Sequence, residues 1–190
     1  MDLEEARKRV KQQLTEKRYE HTLRVCDTAV KLARRYGEST EKAYIASLFH
    51  DYAKCLPQDQ LKHYIEKYQL PIQLLDYHHE LWHGPVGSKL VAEHFHITDQ
   101  DILNAIYYHT TGRAKMSKLE FIVFVSDYIE PGRSFPGLEE VREVAQNNLE
   151  YAAQLTLRNS MMHLLRKHRT IYPDTVFAYN ELTKKGVVNN

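Results

Sequence analysis

Histidine and aspartate residues stand at the ends of apolar helical faces in four separate parts of this chain. They are His21, the pair His50–Asp51, His109 and Asp127. Burying a single carboxylate or imidazole without a partner costs several kcal/mol, so such groups are usually paired or bound to a metal ion. Each residue alone is more typical of a hydrogen-bonded core histidine or a helix-terminal ion pair. The joint pattern, however, predicts that these side chains converge on one cation.

Apolar residues recur at helical spacing along most of the chain and predict the elements that must position these side chains. Glycine and proline are scarce, at 7 and 6 in 190 residues, so long helices are favoured. Capping-box patterns at Thr98 with Asp101 and at Ser117 with Glu120 mark two helix starts. The predicted helices cover Leu3–Leu14, Tyr19–Tyr36, Glu41–Lys54, Gln58–Tyr68, Ser88–His94, Thr98–His109, a stretch from Ser117 through Val125, Leu138–His168 and a short segment after Pro173–Asp174.

No segment alternates apolar and polar residues with period two for long enough to form a convincing strand. The glycine- and proline-containing segments Asp76–Gly87 and Pro131–Gly137 are expected to be irregular. The sequence therefore predicts an all-α fold, a single-domain helical bundle over residues 1–190. The motif-bearing core covers about 19–130, and C-terminal helices follow over 138–185.

Composition and charge exclude several classes of protein. The 26 Lys and Arg residues nearly balance the 25 Asp and Glu residues, whereas nucleic-acid-binding and membrane-surface modules normally carry a strong basic excess. No apolar run approaches the roughly 20 residues of a membrane span, and the polar N-terminus lacks the apolar segment of a signal peptide. The two cysteines, Cys26 and Cys55, are typical of a reducing cytosol. We therefore expect a cytoplasmic protein that binds neither nucleic acid nor membranes; a homodimer stays open.

The order His21…His50-Asp51…Asp127 resembles the signature of the metal-dependent phosphohydrolase superfamily that is named after its His-Asp motif, the HD domain. Five longer segments narrow the resemblance to the bacterial YqeK-type hydrolases. They are HDYAK at His50–Lys54, HGPVG at His83–Gly87, YYHTTG at Tyr107–Gly112, SDYIEPGR at Ser126–Arg133 and YPDTVFAYN at Tyr172–Asn180. The likeness extends from about Tyr19 to Asn180 and implies an all-helical fold of the HD type.

The resemblance implies four metal ligands, which are His21, His50, Asp51 and Asp127. Two imidazoles and two carboxylates suit iron, manganese, zinc or nickel, and the family favours iron. The roles of His83 and His109 stay open. They either bind a second ion bridged by the aspartate, or they contact the phosphates and supply a proton to the leaving group. The second role is favoured because no further carboxylate is obvious for a second ion.

The resemblance also implies catalytic and substrate-binding residues around these ligands. Catalytic roles are expected for Asp51, Lys54, His83 and His109. Substrate contacts are expected from Arg18, His83, His109, Thr110, Thr111, Asp127, Arg133, Thr170, Ile171 and Tyr172. Lys54 follows His50 by four residues and would share its helix face. The Arg133 guanidinium can donate to two phosphate oxygens at once.

Hydrolases of the YqeK type split diadenosine tetraphosphate symmetrically, so water would attack the second phosphorus and release two nucleoside diphosphates. Two alternatives are weighed against this function. A related phosphohydrolase would use another nucleotide, such as a deoxynucleotide or an alarmone, with the same ligands and a different pocket. A nucleotide sensor would bind without cleaving, but degenerate members of the superfamily lose ligands, whereas this chain keeps all four and the flanking lysine.

Overall fold

The computed structural model describes residues 3–186. Within that range the chain forms ten α-helices and two short 3₁₀ turns, Ile72–Asp76 and His79–Leu81, and no strand. The helices are α1 (Leu3–Gln13), α2 (Glu16–Tyr36), α3 (Thr40–Phe49), α4 (Gln58–Lys67), α5 (His83–Phe95), α6 (Gln100–Tyr108), α7 (Lys118–Ile129), α8 (Leu138–Val144), α9 (Leu149–Arg166) and α10 (Pro173–Lys185). The predicted all-α fold is confirmed.

Helix α7 occupies the centre of the fold. Its residues from Leu119 through Ser126 are all buried, because a helix that is apolar on every side must be covered on every side. Helices α2, α3, α6, α8 and α9 all pack against it. The capping box predicted at its start is present, with the Ser117 side chain accepting from the Glu120 N–H and the Glu120 carboxylate accepting from the Ser117 N–H. A helix surrounded in this way can present its C-terminal residues to several neighbours at once.

Two of the predicted helix boundaries around the candidate site are wrong. Helix α3 ends at Phe49 rather than at Lys54, and residues 50–56 continue as tight turns. In these turns the N–H groups of Tyr52, Lys54 and Leu56 each bond to the carbonyl three residues back. Lys54 therefore does not share a helix face with His50. Helix α5 begins at His83, inside the segment 76–87 that was expected to be irregular. Pro85 fits there because the N–H groups of a first helical turn have no partner within the helix.

Glycine explains why α5 can start so early and lie so close to its neighbour. A Cβ on Gly84 would lie 2.7 Å from the backbone oxygen of Tyr107 in α6. Only a residue without a side chain lets the two helices approach to this distance. The close approach brings His83, at the start of α5, against His109, at the end of α6.

Two further differences from the predicted helices involve asparagine and aspartate caps. The single helix predicted over Leu138–His168 is divided into α8 and α9, because Asn148 caps α9 by accepting the Tyr151 N–H at 2.9 Å. Asparagine favours such a cap over a helix interior. Helix α6 is capped by Asp99 rather than by Thr98. Among residues 3–186, no helix combines the length and the apolar character that crossing a membrane would require.

Candidate metal centre

Two helices and one turn bring the four predicted metal ligands together. His21 lies in α2, His50 and Asp51 directly follow α3, and Asp127 lies near the end of α7. His21 Nε2 is 3.0 Å from Asp127 Oδ1, and His50 Nε2 is 2.9 Å from Asp51 Oδ2. The apolar faces that lead to these residues therefore do converge, as the sequence predicts.

Asp51 stands between two groups of imidazoles and is fully buried. Its Oδ2 faces His50 at 2.9 Å and His21 at 3.8 Å. Its Oδ1 faces the other pair, with His83 Nε2 at 3.2 Å and His109 Nε2 at 3.8 Å. One carboxylate thus presents one oxygen to each side of the site, which is the arrangement of a bridging ligand.

Three of the four imidazoles are held in the same way. The Nδ1 atoms of His50, His83 and His109 lie 2.6, 2.7 and 2.7 Å from the backbone carbonyl oxygen three residues earlier in each case. A carbonyl oxygen can only accept, so Nδ1 carries the proton and donates it, and Nε2 is left with its lone pair facing inward. Such contacts from outside the ligand shell fix the tautomer and the orientation of metal-binding histidines.

His21 is held by a side chain that sequence reasoning did not select. Its Nδ1 lies 3.0 Å from Oε1 of Glu130, a residue that is only 2% exposed. The Glu130 Oε2 accepts from Arg24 Nε and from the Gly132 N–H, both at 2.6 Å. A Cβ on Gly132 would lie 2.5 Å from Arg24 Nε, so a side chain at this position would displace the Arg24 guanidinium that contacts Glu130. The available signal was an acidic residue that closes the apolar helix α7 directly before Pro131.

The inward-facing atoms suit a cation better than they suit one another. Nε2 of His21, Nε2 of His50 and both oxygens of Asp51 are buried, and among the described residues none makes a hydrogen bond of normal geometry. Two sets of donor atoms lie within 4.8 Å of one another, His21 with His50 and Asp127, and His50 with Asp51 and His109. Nitrogen and carboxylate donors of this kind bind first-row divalent metals.

The pair His83 and His109 gives a second indication of a cation. Their Nε2 atoms are 3.0 Å apart, and since both Nδ1 atoms carry protons, two lone pairs face each other. A positive charge between them would remove that repulsion. Burial lowers the pKa of His83 and lowers that of His109 well below its usual range, so both rings are neutral and able to coordinate. The Thr110 hydroxyl lies 3.2 Å from His109 Nε2 and 3.5 Å from His83 Nε2.

Each buried carboxylate of the site is paired with one arginine. Arg18 contacts Asp51, Arg133 Nη2 contacts Asp127 Oδ1 at 2.6 Å, and Arg24 contacts Glu130. Burial alone would raise the pKa values of the two aspartates, but the neighbouring histidines and arginines outweigh it, and both pKa values lie well below the usual range. All three carboxylates are therefore charged at neutral pH.

The other predicted catalytic and substrate-binding residues differ in how closely they approach the centre. Arg133 also donates from Nε to the Asp127 backbone oxygen at 2.6 Å, so Asp127 holds it in place. Lys54 reaches the rim of the site and forms an ion pair with Glu80. Thr111 is buried and donates from its hydroxyl to the Gly112 carbonyl at 2.9 Å.

The segment Thr170–Tyr172 lies outside this cluster. Thr170 is exposed, Ile171 is half-buried, and Tyr172 packs edge-to-face on Tyr77 with ring centroids 5.0 Å apart. Within residues 3–186, no hydrogen bond or ion pair links this segment to the ligands. The nearby start of α10 is tied to the site loop, because the Thr175 hydroxyl donates to the Thr111 carbonyl at 2.9 Å.

Comparison with known proteins agrees with this geometry. Residues 18–132, which contain all the candidate ligands, match the HD domain family. The chain is 48% identical over 182 residues to the symmetrical bis(5'-nucleosyl)-tetraphosphatase of Bacillus subtilis strain 168, covering 96% of this chain and 98% of the relative. It is 46% identical over 173 residues to the protein of the same name from Halalkalibacterium halodurans, covering 91% and 92% of the two chains.

A solved structure shares the whole fold. It is that of a predicted HD superfamily hydrolase involved in NAD metabolism from Clostridium acetobutylicum. The TM-score is 0.93 at 38% identity, with 97% of this chain and 98% of that chain covered. The protein therefore belongs to the HD domain family, and within it to the group that contains the symmetrical bis(5'-nucleosyl)-tetraphosphatases.

Proposed function

We propose that this protein hydrolyses dinucleoside tetraphosphates, such as diadenosine tetraphosphate, symmetrically to two nucleoside diphosphates. The observation that carries the proposal is the convergence of four imidazoles and two carboxylates around Asp51, with every imidazole turned inward by a contact at Nδ1. The relatives named for this reaction are similar over nearly the whole chain, which supports the same substrate class here.

We propose that His21, His50, Asp51 and Asp127 hold one metal ion and that iron is that metal. The nitrogen and oxygen donors suit iron as they suit manganese, zinc and nickel, and the family resemblance favours iron among them. With Asp51 Oδ1, the facing Nε2 atoms of His83 and His109 would hold a second ion, which favours the metal-binding alternative for these two residues over the phosphate contact. When bound, such a metal polarises a phosphoryl oxygen and lowers the pKa of a coordinated water.

The residues around the centre would bind and orient the phosphate chain. Arg18 and Arg133 reach the ligands from the rim, with side chains 25% and 32% exposed. A guanidinium in this position can donate to phosphate oxygens while it still faces a carboxylate. The Thr110 hydroxyl lies beside both inner histidines and can donate to the same phosphate. The departing nucleoside diphosphate is a good leaving group and needs at most one proton.

The position of cleavage tests the proposal. Metal-loaded protein is mixed with diadenosine tetraphosphate in oxygen-18 water, the products are separated, and their masses are measured by mass spectrometry. We expect ADP as the only nucleotide product, with one oxygen-18 atom in half of the ADP molecules. Equal amounts of AMP and ATP would mean that the bond between the first and second phosphorus is cleaved and would contradict symmetrical cleavage.

Competing substrates define the class more closely. A deoxynucleoside triphosphate, an alarmone and a dinucleotide with only two phosphates are assayed at the same concentration. The proposal requires the tetraphosphate to give the highest kcat/KM of the set. A higher kcat/KM for any of the others would assign this centre to that nucleotide.

A further inference from the structure

One carboxylate lies in the wall of a site that must accept a strongly negative phosphate chain. Glu80 forms an ion pair with Lys54, a predicted catalytic residue whose ammonium group can bind phosphate. Both residues line a cavity of about 230 Å³ together with His79 and His83. His83 Nε2 is 3.2 Å from Asp51 Oδ1, so this cavity adjoins the metal centre. An acidic side chain at this place opposes anion binding and needs an explanation.

The Lys54–Glu80 pair is accessible and easily exchanged. The Glu80 side chain is 54% exposed and that of Lys54 is 22% exposed. The other carboxylate oxygen of Glu80 is 3.8 Å from His79 Nε2. Ion pairs at this degree of exposure contribute little to stability, so phosphate oxygens can replace the carboxylate as the partner of Lys54.

We infer that Glu80 competes with the nucleotide phosphates for Lys54 and so weakens the retention of the nucleoside diphosphate product. The inference rests on the proposed function. When phosphate takes Lys54, the Glu80 carboxylate is left beside an anion without its partner; when product leaves, the pair forms again. Glu80 acts through Lys54 and is a positioning residue. Its backbone carbonyl, which accepts from His83 Nδ1 at 2.7 Å, is independent of the side chain.

Glu80→Gln removes the charge and keeps the shape of the side chain and the backbone contact to His83. We expect metal-loaded Glu80→Gln to bind ADP and inorganic phosphate about twofold to fivefold more tightly than wild type, as measured by calorimetry. The inhibition constant of ADP and the KM for the tetraphosphate should fall together with the dissociation constant of ADP, while kcat does not rise. Raising the salt concentration should shrink the difference.

A double-mutant cycle and a matched surface pair identify the cause. In a Lys54→Gln background, Glu80→Gln should change ADP affinity far less, because the competition acts through Lys54. Glu93→Gln is the matched control, because Glu93 forms a comparable exposed ion pair with Lys67. Glu93 lies on the same helix as His83, ten residues and about 15 Å further along. This control should bind ADP as wild type does.

Unchanged or weaker ADP binding by Glu80→Gln would overturn the inference, as would an equal effect in the Lys54→Gln background. Weaker binding would mean that Glu80 holds Lys54 in place for the phosphates. Wild-type protein that cleaves no dinucleoside tetraphosphate would instead contradict the proposed function, and the phosphate titration would still decide the role of Glu80.

Discussion

At the scale of single residues, the proposed metal centre depends most on Asp51, because its two oxygens face both groups of imidazoles. We expect Asp51→Ala to lose the bound metal and the hydrolytic activity while the helical circular dichroism signal stays. The variant lacks a ligand. Removing one partner of a buried charge pair also destabilises the metal-free fold, but the helices pack through apolar side chains rather than through this carboxylate. Elemental analysis checks the metal content, and full metal occupancy in this variant would contradict the ligand assignment.

The inner histidines give the metal-free protein a predictable dependence on pH. His83 and His109 have lowered pKa values in the fold, so on acidification the unfolded chain takes up protons that the folded chain does not. Stability should therefore fall as the pH drops below about 6.5, by up to about 1.4 kcal/mol per pH unit for each such group. His50 acts in the opposite sense, because its pKa is raised; burial lowers it but Asp51 outweighs burial.

His109→Gln isolates one of these contributions. Urea unfolding of metal-free protein at several values between pH 7 and pH 5 should show a shallower loss of stability in the variant than in wild type. Identical slopes in the two proteins would show that folding does not lower the pKa of His109.

The sequence predicted the residues that meet at the centre but not those that hold them. His21, His50, Asp51 and Asp127 stand out because they interrupt apolar faces, which is visible in one dimension. Glu130 holds His21 across 109 residues of chain, and no local pattern reports such a distant contact. The backbone carbonyls that orient the other histidines carry no sequence signal at all.

At the scale of elements, the crossing of α5 and α6 controls how His83 meets His109. Gly84→Ala would place a Cβ 2.7 Å from the Tyr107 carbonyl oxygen, so the helices must separate. We expect a loss of about 1–3 kcal/mol in the free energy of unfolding, together with weaker metal binding. Chemical denaturation and metal titration measure the two effects.

Gly87 provides the matched control on the same helix. A Cβ there would meet its nearest atoms, in Ala53, at 3.6 Å, an ordinary contact distance. Gly87→Ala should be neutral or stabilise the protein by up to about 1 kcal/mol, because alanine is the better helix former. Equal destabilisation by both substitutions would show that the close α5–α6 crossing is not the reason why a side chain at position 84 destabilises the protein.

Helix existence was predictable and helix ends were less so. The spacing of apolar residues correctly predicted the helices that carry the candidate ligands. The glycines and proline at 84–87, however, favoured a loop where the structure has the first turns of α5. Packing decides this segment, since glycine there permits a close helix crossing rather than a turn. The division between α8 and α9 follows from the cap at Asn148. Apolar residues keep helical spacing on both sides of this break, so the pattern predicts one continuous helix.

At the scale of the whole molecule, near-neutral net charge conceals a local balance of three arginines with three carboxylates. Arg18 contacts Asp51 Oδ2, the same oxygen that faces His50 and His21. A metal ion at that oxygen competes with the guanidinium. We expect Arg18→Gln to destabilise the metal-free protein and to tighten metal binding. The metal affinity should rise about tenfold for each 1.4 kcal/mol by which the free energy of unfolding of the metal-free protein falls.

Arg24→Gln is the contrasting variant. Arg24 pairs with Glu130, which contacts a ligand but does not face the centre itself. Its loss should also destabilise the metal-free protein but should weaken metal binding, because His21 is then held less firmly. Thermal unfolding without metal and competitive metal titration compare the two, and tighter binding in both variants would contradict competition at Asp51.

The ligands are drawn from widely separated parts of the chain, from His21 to Asp127. During synthesis at about 5–20 residues per second, the N-terminal helices leave the ribosome several seconds before α7 does. The nascent chain can therefore collect only part of the donor set until Asp127 and Glu130 have emerged. Loading of a complete centre must wait until α7 has emerged, so metal content reports how many chains have closed α7 onto α2.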